Sequence, residues 1–189
     1  TGVATVTVSG ELGLARVTAS GETTARYTAL KMGNVTVSAS TASAGDFGLS
    51  GTLTIDSLNI NNAAVGHARL DWAKAFDLDG NGTKDILDPG AALPTPATLA
   101  IDYAGSLQLA VAGSVTGTPL ITAGPVTVGG TAEFALTRRT IDVDSDGNGT
   151  ADLLGATLDG IALGVTNASV VVTGVATVTV SGELGLARV

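Results

Sequence analysis

Along most of this chain apolar residues alternate with polar ones. Val6, Val8, Leu12 and Leu14 fall on one side of an extended chain, and Thr5, Thr7, Ser9 and Glu11 on the other. That period of two is the mark of a strand with one apolar face. Gly10 and Gly13 interrupt the run and predict a bulge or a close backbone contact. At about 3.3 Å per residue, residues 1–17 would span roughly 55 Å, far more than a typical strand. Strands are also expected over 23–32, 35–40 and 49–60. In the last of these the alternation slips between Ile55 and Leu58, which predicts a further bulge. Asn61-Asn62 reads as a turn. Residues 65–76 fit either a strand or a short helix, and the strand is favoured because the neighbouring segments are strands. Short strands are expected over 99–103, 106–112, 115–116, 120–122 and 126–128, the last two kept short or at an edge by nearby prolines. A long strand is expected over 131–143 and a final segment over 161–165. Turn signals return about every 8–12 residues and no stretch is convincingly helical, so the chain reads as all-β. The expected architecture is an elongated, antiparallel-rich sheet module, sandwich-like or solenoid-like.

The first stretch recurs. Residues 1–17, TGVATVTVSGELGLARV, return letter for letter at 173–189. The chain is therefore expected to hold one tandem repeat, residues 1–172, followed by the start of the next, residues 173–189. The junction falls within a continuous β-type run from Ala168 to Val180, whereas a domain boundary normally lies in a polar linker. Either the phase of the repeat is arbitrary or neighbouring repeats continue into one another through their sheets. A weaker internal likeness joins residues 77–87 (DLDGNGTKDIL) to residues 144–154 (DSDGNGTADLL).

Composition sharpens this picture. Aromatic residues make up only 3% of the 189, so the core must be built from Val, Leu, Ile and Ala. With 26 glycines, frequent Thr and a mean hydropathy of +0.41, the chain suits tight turns and regular strands and not disorder. The net charge of −8 comes from 17 acidic against 9 basic residues. Eight of those acids stand in two clusters, Asp77/Asp79/Asp85/Asp88 and Asp142/Asp144/Asp146/Asp152, and the other nine balance the bases. The acidity is thus local and suggests cation sites. No basic patch is present to hold nucleic acid. No apolar run is long enough for a helical membrane span. With no cysteine, thiolate metal sites and disulfides are excluded.

The run Asp77-x-Asp79-x-Asn81-Gly82-Thr83-x-Asp85-x-x-Asp88 resembles the calcium loop of EF-hand and dockerin-type proteins. Calcium takes six to eight hard oxygens from a flexible backbone, with glycine at the sharp turn. The resemblance implies ligation by the side chains of Asp77, Asp79, Asn81 and Asp85, by the backbone carbonyl of Thr83, and by Asp88 where the family has Glu. The second loop offers Asp144, Asp146, Asn148, Thr150 and Asp152, with Gly149 at the turn. It has Gly155 at the closing position, where Asp142 or Asp159 could serve instead. The expected cofactor is Ca2+ in both loops. Helices flanking the loops are not expected, so the likeness extends to the loops and not to the EF-hand fold.

The long repeat, the Gly/Thr/Val-rich strands without Cys, and the DxDGNGT loops together resemble modules of very large, repetitive secreted bacterial surface proteins of the adhesin or haemagglutinin-like kind. That resemblance implies a structural role outside the cell or on its surface, with neighbouring copies of the repeat as partners. The alternative is a binding module whose loops contact a glycan or a cell surface. His67 is the only histidine and is read as an ordinary strand residue, since no nucleophile elbow or second metal-binding side chain accompanies it. No enzyme activity is expected. Arg138-Arg139 is expected to pair with nearby carboxylates, and Trp72 and Tyr103 to lie in the core or on the sheet.

Overall fold

The computed structural model describes residues 4–41 and 47–189, and they form one antiparallel sheet of seven strands. The strands are β1 (Ala4–Val17), β2 (Tyr27–Thr41), β3 (Phe47–Ala63), β4 (Leu107–Ala123), β5 (Val126–Val143), β6 (Leu153–Val172) and β7 (Ala176–Arg188). Each pairs with its neighbours in the chain, so the order across the sheet is the order in the sequence. The sheet does not close, and β1 and β7 each keep one free edge. It is neither a sandwich nor a barrel. The one helical element among the described residues is a four-residue 3-10 turn, Pro89–Ala92.

The strands are longer and fewer than the turn signals predict. Residues 107–123, expected as three short pieces, form one strand of 17 residues. The breakers there do not end the strand. The ladder to β5 shifts register between Gly117 and Ile121, so the glycine and the following proline are absorbed as an irregularity within the strand. Asn61-Asn62, expected as a turn, lies inside β3, which runs on to Ala63. Residues 65–76 are not a strand. They begin a covering segment, residues 64–106, whose only ladder contacts are single bridges between Phe76 and Asp85 and between Leu87 and Ile101.

The bulges expected at Gly10 and after Ile55 are both present. β1 shifts register against β2 between Ser9 and Glu11, around Gly10 at φ 139°, opposite Asn34 at φ 51°. A Cβ on Gly10 would lie 2.6 Å from the Val35 Cα, so the close approach admits only glycine. The same device recurs between β5 and β6, where Gly130 at φ 138° faces Asn167 at φ 52° and a Cβ would lie 2.6 Å from the Ala168 Cα. The bulge expected between Ile55 and Leu58 is the register shift between Ile55 and Ser57 on the β4 side.

Among the described residues, only one part of the sheet has a second layer. Residues 64–106 fold back over one face of β1 to β4 and bring Trp72, Leu99, Ile101 and Tyr103 onto Ala15, Ala29 and Leu107. Asn61 fastens this layer. It is fully buried, accepts from the Trp72 indole at 2.9 Å, and donates to the carbonyls of Leu70 at 3.0 Å and Ala104 at 3.2 Å. The Tyr103 hydroxyl donates to the Leu30 carbonyl at 2.9 Å, and burial pushes its pKa up, with help from Asp102. Trp72 and Tyr103 are therefore core residues, as their sequence context suggests. On the opposite face an apolar row crosses the sheet from Leu12 through Met32, Leu58, Val111, Leu136 and Ile161 to Leu186.

Candidate metal centre

Odd-numbered strands run one way and even-numbered strands the other, so β3–β4 and β5–β6 are joined at the same end of the sheet. Both acidic loops lie at that end, the first inside the covering segment and the second in the β5–β6 hairpin. In each, three carboxylates converge. Asp77, Asp79 and Asp85 form one group and Asp144, Asp146 and Asp152 the other, and within each group one ligand atom per residue lies within 4.8 Å of the others. These two groups could hold a metal ion.

The two loops are built on one plan and differ in a few bonds. In the first, Asp77 accepts from the amides of Asn81 at 3.1 Å and Gly82 at 2.9 Å. Asp79 accepts from the Asn81 amide at 3.1 Å and the Asn81 side chain at 2.8 Å. Asn81 Oδ1 accepts from the Thr83 amide at 2.7 Å and from the Thr83 hydroxyl. Asp85 reaches back to the Leu78 amide at 2.6 Å. In the second, Asp144 accepts from the amides of Gly147 at 2.8 Å and Gly149 at 2.7 Å. Asp146 holds Asn148 at 3.1 and 2.9 Å, and Asn148 holds the Thr150 amide at 2.8 Å. Asp152 reaches back to the Ser145 amide at 2.8 Å and hydroxyl at 2.6 Å. The glycines explain how a chain can turn this tightly. Gly80, Gly82, Gly147 and Gly149 all have φ between 75° and 89°, which residues with a Cβ rarely adopt. The amide of the last aspartate closes each loop on the residue just before it, Asp85 on the Phe76 carbonyl at 2.9 Å and Asp152 on the Val143 carbonyl, at the end of β5, at 2.8 Å.

The hydrogen bonds tune the second group. The amide of Gly149, then that of Gly147, hold the Asp144 carboxyl below the ordinary value of 3.8, and the Ser145 hydroxyl and amide do the same for Asp152. Both therefore stay ionised well into the acid range. A carboxylate oxygen that accepts one amide keeps a lone pair for a cation.

Three residues expected near the ions stand elsewhere. Asp88 is outside the first group. Its Oδ1 accepts from the Gly90 amide at 3.0 Å, capping the 3-10 turn, and from the Leu99 amide at 2.9 Å. Asp142 is outside the second group and accepts from the Gly155 amide at 2.8 Å, at the root of the hairpin. Asp159 is bound on both oxygens by Arg138, at 2.6 and 2.9 Å, the pairing expected for that arginine. With Asp88 placed on the cap, the two loops offer matching sets: three carboxylates, one Asn oxygen and one Thr. The Ser145 hydroxyl is the one loop contact that the calcium-loop motif does not anticipate. It has no counterpart in the first loop, where Leu78 fills that position.

His67 lies exposed in a turn after β3, not in a strand, its ring edge-on to Tyr27 at 6.3 Å. No helix among the described residues is long and apolar enough to cross a membrane. Compared with protein-family models, curated proteins and solved structures, the chain finds no match in any of the three.

Proposed function

We propose that this chain is a structural repeat module of an extracellular fibre, sheath or adhesin stalk, and that calcium in its two acidic loops rigidifies it. One observation carries the structural role. The same seventeen-residue sequence occurs at both edges of one sheet, and the two copies run in the same direction. As β1 it pairs with β2 on one side, and as β7 it pairs with β6 on the other. A strand with a partner on each side is an interior strand of a sheet that continues, so six strands are added for each 172 residues. An assembly that grows this way is a scaffold, in which each unit contacts only its neighbours.

Calcium supports that role through the loops. Three carboxylates within 4.8 Å repel one another in the folded chain, and that repulsion opposes the ordered loop until a cation offsets it. A cation that binds the folded chain alone adds stability by mass action. The test is thermal melting of the chain with calcium and with chelator. Melting should fall on chelation, and Asp79→Ala together with Asp146→Ala should remove most of the response. A melting temperature indifferent to calcium would reduce both loops to hydrogen-bonded turns.

A further inference from the structure

Residues 1–17 and 173–189 have one sequence but two environments. In β1, Gly13 and Ala15 are buried. A Cβ on Gly13 would meet Leu99 at 3.3 Å and Pro89 at 3.6 Å, both from the covering segment. In β7 their counterparts Gly185 and Ala187 are exposed, and a Cβ on Gly185 would meet nothing. Chemistry that demands cover at one edge is bare at the other.

The register shows how cover is restored. Following paired residues across the sheet from Gly13 leads through Lys31, Asn59, Ala110, Thr137 and Gly160 to Ala187. Ala187 is the counterpart of Ala15, two positions further along the repeat. The row from Leu12 likewise ends on Leu186, the counterpart of Leu14. Each repeat thus steps the register by two residues. A step of two keeps every side chain on its own face, whereas a step of one would turn the apolar row over. The slope is about 7 Å along the strands for every ~29 Å across six strands, roughly 13°.

The covering segment reaches furthest at β1, where the 3-10 turn Pro89–Ala92 packs on the outermost strand. Beside Gly185 and Ala187 on the covered face stand Ala162 and Gly160 of β6, and behind them Ala135 and Thr137 of β5. These side chains are small, so a layer lying on β7 has room to extend over β6. The edge also carries a charge match. Asp159 faces Arg188, the counterpart of Arg16.

We propose that the free edge of β1 receives β6 of a second copy of the repeat in the register β7 holds here, and that the 3-10 turn of the following copy lies over Gly160 and Ala162 of the preceding one. This rests on the reading of the chain as one module of an array. Each covering segment then acts as a clasp across the seam, adding side-chain packing to the backbone ladder. The partner is another copy of this sequence, because the strand on the outer side of β6, Ala176–Arg188, repeats residues 4–16.

The experiment uses a chain in which residues 1–172 are followed by residues 1–189, so that every contact of the present chain is retained. One variant pairs Leu163→Cys in the first copy with Leu12→Cys in the second and reports the ladder. The other pairs Ala162→Cys in the first copy with Ala92→Cys in the second and reports the clasp. A short thiol-to-thiol cross-linker should join both pairs, and should not join Ala92→Cys in the second copy to Thr127→Cys at the far end of the first. Joining of the ladder pair alone overturns the clasp and leaves the array standing. Joining of neither overturns the continuous sheet, and with it the array. Amide exchange of the unsubstituted chain guards against variants that misfold. Residues 6–16 of the second copy should exchange at least tenfold more slowly than the same residues of the first, and equal exchange would overturn the pairing.

Discussion

The indole nitrogen of Trp72 donates to Oδ1 of Asn61 at 2.9 Å, and neither residue has any exposed surface. Through this bond and two more from the Asn61 amide, a sheet strand holds both limbs of the covering segment. Asn61→Leu would leave a buried indole N–H and the Leu70 carbonyl without partners, while the Ala104 carbonyl keeps the Leu107 amide at 3.0 Å. The cost should be about 2–6 kcal/mol, since each of the two orphaned polar groups costs about 1–3 kcal/mol. Urea denaturation checks it. A loss below ~1 kcal/mol would show that the layer is held by apolar packing alone.

Asp88 separates two roles for a carboxylate. As the cap of the 3-10 turn and anchor of Leu99, it should cost about 1 kcal/mol when changed to Ala, the ordinary worth of a cap. The calcium response of Asp88→Ala should match that of the parent chain. If calcium titration weakens several-fold instead, Asp88 is a ligand.

The two loops, matched in the oxygen groups they offer, should bind calcium with affinities within about tenfold of each other, or ~1.4 kcal/mol. Calorimetric titration of Asp79→Ala and Asp146→Ala chains isolates each loop. Two sites separated by a hundredfold would mean that Ser145, or groups outside the loops, governs affinity.

Acid should act late on the second loop. Asp144 and Asp152 have folded-state pKa values below the ordinary 3.8. Groups with a depressed folded pKa contribute stability that is fully present above the unfolded value and is lost as pH falls through the folded one. The hydrogen bonds to Gly149, Gly147 and Ser145 should therefore persist at pH 4 and weaken only below 3.8. Carboxyl chemical shifts followed by NMR provide the check. Midpoints above 3.8 for these two residues would contradict the geometry.

Gly130 should not tolerate a side chain. Its φ is 138°, and an added Cβ would stand 2.6 Å from the Ala168 Cα. Gly130→Ala should therefore cost about 1–3 kcal/mol, whereas Gly182→Ala, which meets nothing, should cost less than ~1 kcal/mol. Denaturant midpoints of the two variants give the comparison. Equal losses would mean that the bulge relaxes freely.

Much of the fold is legible in the sequence because alternation is local. Strand character and the slip after Ile55 follow from which residues repeat at intervals of two, and the Gly10 bulge from a glycine that interrupts them. The acidic loops are legible for the same reason, since their glycines and oxygens are set by spacing within a dozen residues. What could not be read is non-local. Asn61 looks like a turn residue until Trp72 and the carbonyls of Leu70 and Ala104 are brought to it, and burial then outweighs turn propensity. Residues 65–76 fit a strand or a short helix by sequence, and their neighbours favour strand, yet they find no strand to pair with and pack as a layer. Asp88 fits the twelfth place of a calcium loop by count, yet the amides of Gly90 and Leu99 claim its oxygen. Gly113, Gly117 and Pro119 read as strand ends because sequence alone does not show a ladder on both sides that carries the strand through, whereas Gly124-Pro125 does end β4.

The chain-ordered sheet has a mechanical meaning. Arg188 stands level with Leu14, ten residues along β1 from Ala4. A pull between Ala4 and Arg188 therefore runs about 33 Å along the strands and ~29 Å across them, so each ladder bears part of the load as shear and part as peeling. Over most of the sheet only backbone bonds resist it. The exception is β1 to β4, bridged on one face by the segment that Asn61 and Tyr103 fasten. Under tension the molecule would open first from β7 toward β5 and keep its stapled half until last.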